Sequence, residues 1–190
     1  MDISDKSKQY LLSLARDAVE RGMRPDNADY GKIPDEVTVA RGIFVTIKKN
    51  GDLRGCIGNI IPGRPLHEAV VSNAKSAAYE DPRFPPLSDE EFDQIEIEIS
   101  ILTEPVEMDY SSPQDLLQRL GEARPGVVLE AGDNRATFLP QVWEEIADPE
   151  EFISSLCLKA GLFADYWREE SHSLVVKTYL AIKFKESDFD

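Results

Sequence analysis

Asn50-Gly51 stands between two apolar, β-branched runs, and no other short stretch constrains the fold of this chain as tightly. Asn-Gly supplies two residues that tolerate positive φ, which is what a two-residue hairpin turn requires. The segments Ile43 to Lys48 and Leu53 to Ile60 are therefore expected to pair as antiparallel strands. With a two-residue turn the register sets Val45 opposite Cys56 and Ile47 opposite Arg54. Side chains alternate along a strand, so Arg54 and Cys56 fall on one face, with Leu53, Gly55 and Ile57 on the other.

That face gives Cys56 two readings. A guanidinium near a thiol favours the thiolate and makes the sulfur a better nucleophile or ligand, which marks Cys56 as a candidate catalytic nucleophile and Arg54 as a candidate binding residue. The same register sets apolar side chains around the sulfur, and free cysteine is among the most buried residue types, so plain packing is the commoner explanation of such a residue.

Composition narrows the function classes. Of 190 residues, 36 are acidic and 21 basic, a formal net charge of -15 that repels phosphate backbones. No Lys/Arg run or basic-aromatic interleave offsets it, so direct nucleic-acid contact is not expected. The first residues carry neither a basic nor an apolar signal region, and no apolar run is long enough for a membrane span. Two widely separated cysteines make no disulfide framework, and the expected compartment is the reducing cytoplasm.

Ser4 caps an expected helix to Val19 with an apolar stripe from Tyr10 onward, ended at Gly22, and residues 23–40 read as a long surface loop. A second helix starts at Pro65 and buries Leu66, Ala69, Val70, Ala74 and Ala77. Asn73 lies on that apolar face, where a buried amide either braces backbone or faces a cleft. His67, in the first turn, is a weak binding candidate and a distant prospect for a Cys-His dyad; as a helix-face residue it is expected to be half exposed. Asp81-Pro82-Arg83-Phe84-Pro85-Pro86-Leu87 is a stiff turn that fixes Asp81 and Arg83, either as a binding pair or as a structural ion pair.

Ile95, Ile97, Ile99 and Ile101 alternate with glutamates, the pattern of a strand with one buried and one wet face. Ser112 opens a helix expected to stop at Gly121, and Gly126 to Glu130 pairs with Arg135 to Leu139 in a second hairpin. A short helix is expected around Val142-Trp143, and Asp148-Pro149 opens a further helix that buries Cys157. A single last strand alternates Leu174, Val176, Thr178, Leu180 and Ile182, and His172 before it reads as a loop residue. No P-loop, GxGxxG, nucleophile elbow or zinc-type spacing occurs, so no metal site or cofactor is expected. The fold class is α+β, a mostly antiparallel sheet flanked by helices, with residues 1–190 read as a single domain and no internal boundary assignable.

In order, Gly42-Ile43-Phe44-Val45-Thr46, Leu53-Arg54-Gly55-Cys56-Ile57-Gly58, Asp81-Pro82-Arg83-Phe84-Pro85-Pro86-Leu87, Ile99-Ser100-Ile101-Leu102 and Phe138-Leu139-Pro140-Gln141-Val142 resemble the AMMECR-type domain family. Lys159-Ala160-Gly161-Leu162 and Trp167 resemble its C-terminal part, while Trp143 to Asp148 departs from the longer Gly-Trp connection the family usually carries. The resemblance implies a compact α+β fold of two unequal lobes with a cleft. It also implies kinship with component A of the AmmeMemoRadiSam system, with a Memo-like protein and a radical-SAM enzyme as partners. No biochemical activity or oligomeric state comes with it. Three functions stay open: binding a small ligand or partner protein in a metabolic or modification pathway, a cysteine-dependent enzyme using Cys56, and a nucleic-acid-associated regulator. Arg54, Asn73, Asp81 and Arg83 are the candidate binding residues, with His67 behind them.

Overall fold

The computed structural model describes residues 3–22, 31–169 and 173–189. Eight strands occur among them: β1 (Ile43–Lys49), β2 (Asp52–Asn59), β3 (Ile95–Leu102), β4 (Val106–Glu107), β5 (Gly126–Ala131), β6 (Asn134–Phe138), β7 (Val175–Tyr179) and β8 (Ala181–Lys185). The α-helices are α1 (Asp5–Glu20), α2 (Leu66–Tyr79), α3 (Pro113–Ala123) and α4 (Pro149–Lys159). The strands form two four-stranded sheets, ordered β2-β1-β3-β8 and β4-β7-β5-β6, with antiparallel pairing that makes the fold α+β. The chain divides into two compact units of unequal length, Met1–Thr103 with Ile182–Asp190, and Glu104–Ala181.

The first unit follows its hydrophobic pattern. Ile43, Val45 and Ile47 on β1 and Ile97 and Ile99 on β3 are fully buried in one cluster with Leu11, Ala15 and Val19 of α1 and Leu66, Val70 and Ala74 of α2. Each buried aliphatic side chain of this kind contributes about 1.5–3 kcal/mol relative to exposure. Ser4 caps α1 by accepting from the Ser7 N–H. The glutamates between the isoleucines of β3 are not simply solvated: Glu98 pairs with Lys48 at 3.0 Å and Glu96 with Lys185 at 3.3 Å.

In the second unit Trp143 stacks on Phe152 with ring centroids 3.7 Å apart, and its indole N–H donates to the Pro125 carbonyl at 2.8 Å. Leu116, Leu120, Ile153, Leu156 and Cys157 complete that core. Burial pushes the Cys157 thiol up to about 11, as suits a thiol kept protonated by apolar surroundings.

Four sequence expectations are corrected. α3 runs through Gly121 and ends at Ala123, where Arg124 takes the left-handed conformation with φ 44. The described part of the 23–40 stretch is not a plain surface loop; residues 23–30 lie outside the described residues. It holds a short helix at Asp35–Val37, Val37 is fully buried, and the Val39 carbonyl accepts the Leu66 N–H that begins α2. That carbonyl serves one N–H of a helix start that has no side-chain cap. The single last strand is two strands in different sheets: β7 pairs with β5 and β4, β8 with β3, and Leu180 between them is exposed while Val176 and Tyr179 are buried. Alternation reports which faces are buried but not which sheet a strand joins. The fourth correction, the β1–β2 register, shapes the site.

Candidate functional site

The Asn50-Gly51 turn begins as its chemistry dictates, with φ of 53 and 90 at the two turn residues and the pairs Lys49↔Asp52 and Lys48↔Leu53. The register then slips by one: Ile47 faces Gly55, so Arg54 is the extra residue of a β-bulge. Cys56 therefore stands opposite Thr46, not Val45. The Thr46 hydroxyl donates to Cys56 Sγ at 3.2 Å. The sulfur is thus half buried on the polar side of the sheet, away from the isoleucine core.

Arg54 is carried to a different partner. Its Nε and Nη2 donate to the two oxygens of Glu91 at 3.1 and 2.9 Å, and Nη2 also reaches the Pro86 carbonyl at 3.3 Å. Glu91 further accepts from Lys49 Nζ at 3.0 Å and from the Ser88 N–H at 3.1 Å. The Arg54 guanidinium, then the Ser88 amide and the Lys49 ammonium, pull the Glu91 carboxyl down to about 2.

The cation that serves Cys56 is Arg83. β2 is an edge strand, and the Cys56 backbone points out of the sheet on that edge. The Cys56 N–H donates to Asp81 Oδ2 at 2.8 Å, and Arg83 Nη2 donates to the Cys56 carbonyl at 3.2 Å. Asp81 in turn grips Arg83 through Nε at 3.0 Å, Nη2 at 2.7 Å and the backbone N–H at 3.1 Å. The Asp81 side chain is 2% exposed and that of Arg83 53%, so a buried carboxylate orients a half-exposed guanidinium. Hydrogen bonding from Arg83 holds the Asp81 carboxyl well below the usual carboxylate range. Asp81 raises Arg83 in return, with a smaller contribution from the nearby Cys56 thiol. The Phe84 ring lies under both guanidinium groups, 5.5 Å from Arg83 and 5.9 Å from Arg54.

The remaining predicted residues go elsewhere. Asn73 is buried and donates to the Ile43 carbonyl at 3.2 Å, so it braces β1. His67 is buried, not half exposed, because the Val37 carbonyl lies 3.0 Å from its Nδ1. His172 lies outside the described residues. The structure thus brings Cys56, Asp81 and Arg83 together, sets Arg54 beside them through Phe84 and Pro86, and puts Asn73 and His67 in structural contacts. Thr46, Phe84 and Glu91 belong to the same cluster and were not singled out from the sequence. Ser88 three residues before Glu91 is a capping-box spacing, the one signal that could have flagged that carboxylate. No group of three or more His, Cys, Asp or Glu that could hold a metal occurs among the described residues.

Chemically the cluster offers a half-exposed thiol, a hydroxyl donor and an oriented guanidinium. It does not offer a good base: Asp81 and Glu91 are both held far below neutrality by cations, so neither takes up a proton readily.

Two antiparallel sheets with helices make the chain an α+β protein. A model of the AMMECR1 family matches residues 12–184, and the chain belongs to that family. It is 41% identical over 181 residues to a protein of Thermofilum pendens, covering 87% of this chain and 84% of the relative. A protein of Methanothermobacter thermautotrophicus is 42% identical over 163 residues, with 82% of each chain covered. The crystal structure of an uncharacterized protein from Pyrococcus horikoshii superposes with a TM-score of 0.75 at 35% identity, covering 97% of this chain and 93% of that one. No helix among the described residues is long and apolar enough to cross a membrane.

Proposed function

We propose that this chain is a ligand-binding member of the AMMECR1 family, whose contact surface is the edge formed by Cys56, Arg83 and Thr46. The observation that carries this reading is the Asp81–Arg83 pair, a buried carboxylate presenting a half-exposed guanidinium beside a half-buried thiol. Such a guanidinium is oriented before any ligand arrives, which lowers the ordering cost of recognition. The ligand class is a small polar molecule that accepts hydrogen bonds, met within a metabolic or modification pathway. The Memo-like and radical-SAM partners implied by the family resemblance belong to this proposal as the setting of that pathway.

The test is enrichment of small molecules from a cell extract by the purified protein, read by mass spectrometry, with Arg83→Met and Cys56→Ser compared after their melting temperatures are matched to wild type. Ligands enriched by wild type and lost in Arg83→Met support the reading; an identical set in both variants overturns it. A second reading, a cysteine-dependent enzyme, is favoured by the Thr46 hydroxyl donating to Cys56 Sγ. A covalent adduct on Cys56 that turns over would establish it, and an extract that leaves Cys56 unmodified would remove it.

A further inference from the structure

Arg83 carries an unused nitrogen. Its Nε and Nη2 are spent on Asp81 and the Cys56 carbonyl, whereas Nη1 has no hydrogen-bond partner among the described residues. The side chain is 53% exposed, so both N–H groups of Nη1 are left to solvent or a ligand. A guanidinium fixed on one edge and free on another can take an acceptor without first being ordered.

An aromatic ring stands on the other side of the thiol. β1 and β2 pair Thr46 with Cys56 and Phe44 with Gly58, so Phe44 shares the thiol's face, opposite the buried Ile43, Val45 and Ile47. Its ring lies across Gly58: a Cβ built there would be 2.5 Å from Phe44 Cγ and Cδ1. Phe44 is partly exposed and belongs to neither hydrophobic core of the described residues. Packing in a core therefore does not account for this ring.

Cys56 and Gly58 are two residues apart on one strand, a rise of about 7 Å, with Arg83 held at the carbonyl of the first and the Phe44 ring over the second. A molecule of one ring and one charged group has that length. Charge selects the group. Glu98, opposite Thr46 on the same face, is already paired with Lys48 at 3.0 Å and Asp81 with Arg83, so both acids are compensated before a ligand arrives. A single anionic group then suits Nη1. A phosphate dianion asks for more cationic donors, on a chain of net charge -15.

We infer that the ligand of the Cys56 edge is a small carboxylate with an aromatic or branched apolar body, its carboxylate on Arg83 Nη1 and its body on the Phe44 ring. This rests on the ligand-binding reading above and adds to it the class of ligand and Phe44 as the residue that selects it.

The probes are phenylacetate, acetate and the neutral 2-phenylethanol, titrated at neutral pH into the full chain and followed by amide NMR shifts. Phenylacetate should bind saturably with shifts at the Phe44, Cys56 and Gly58 amides, and each of the other two should bind at least about fivefold more weakly. Arg83→Met should weaken phenylacetate about fivefold and leave 2-phenylethanol as in wild type. Phe44→Thr, which keeps a strand-forming residue, should weaken phenylacetate about fivefold and leave acetate unchanged. The comparison of three probes on wild type decides the matter even where a substitution costs folding. The inference is overturned if phenylacetate does not saturate by about 10 mM, if acetate or 2-phenylethanol binds as well as it does, or if either folded variant binds phenylacetate like wild type. Where these tests fail while Arg83-dependent enrichment from extract persists, the ligand class alone falls; where that enrichment is absent, the underlying reading falls.

Discussion

The Asp81 carboxylate accepts the Cys56 backbone N–H at 2.8 Å, so the stiff turn after α2 and the edge strand of the first sheet are joined at the residue that carries the thiol. Without Asp81 that amide would have no partner in the sheet, and Arg83 would lose the group that orients it. Asp81→Ala should therefore lower unfolding stability by about 2 kcal/mol, the cost of leaving a partly buried donor unsatisfied. Urea denaturation checks this, and a midpoint within error of wild type would show that the pair is not structural.

Acid should act through Glu91. Its folded-state value of about 2 lies below the ordinary 4.5, so its contribution is fully present above the unfolded value and is lost as pH falls from about 4.5 towards 2. Glu91→Gln removes this contribution at every pH. The stability gap between wild type and variant should be widest at neutral pH and should close through that acid window. A gap that stays constant from pH 7 to pH 2.5 would contradict the assignment.

Much of this fold could be read from the chain, and the failures have a common cause. Local chemistry placed the Asn50-Gly51 turn, the caps at Ser4, Ser112 and Asp148 and the isoleucine face of β3, because each depends on neighbours in sequence. The register beyond Leu53 was missed because a bulge is imposed from outside the hairpin: Arg54 leaves the ladder for Glu91, which lies 37 residues further on. The same slip replaced Val45 by Thr46 as the neighbour of Cys56 and moved the partnering cation from Arg54 to Arg83. The unit boundary at Ala181 was hidden for a similar reason, since two strands of equal alternation follow each other with one residue between them.

The two cysteines should separate cleanly in a labelling experiment. Cys157 is fully buried and its thiol is raised to about 11, whereas Cys56 is half exposed on a polar face. Iodoacetamide under native conditions at pH 8 should modify Cys56 and spare Cys157, with both modified in urea. Peptide mass spectrometry distinguishes them. Labelling of Cys157 alone, or of neither, in the native protein would remove Cys56 from any functional surface.

Gly55 tests the packing that holds the edge in place. A Cβ built there would lie 2.0 Å from the Ala77 carbonyl oxygen, a backbone atom of α2 that cannot rotate away. Gly55→Ala must push α2 off β2, and α2 carries the turn that positions Asp81 and Arg83. The expected loss is about 2 kcal/mol or more, on the scale of overpacking in a filled core. Gly51 is the contrast: nothing lies within 4 Å of its Cβ position, but φ is 90, so Gly51→Ala should lose only about 1 kcal/mol through backbone strain. Because the Gly55 change displaces the turn and the Gly51 change does not, native Cys56 labelling should accelerate in the first variant and stay at the wild-type rate in the second. Equal labelling in both would mean that contact with α2 does not control access to the thiol.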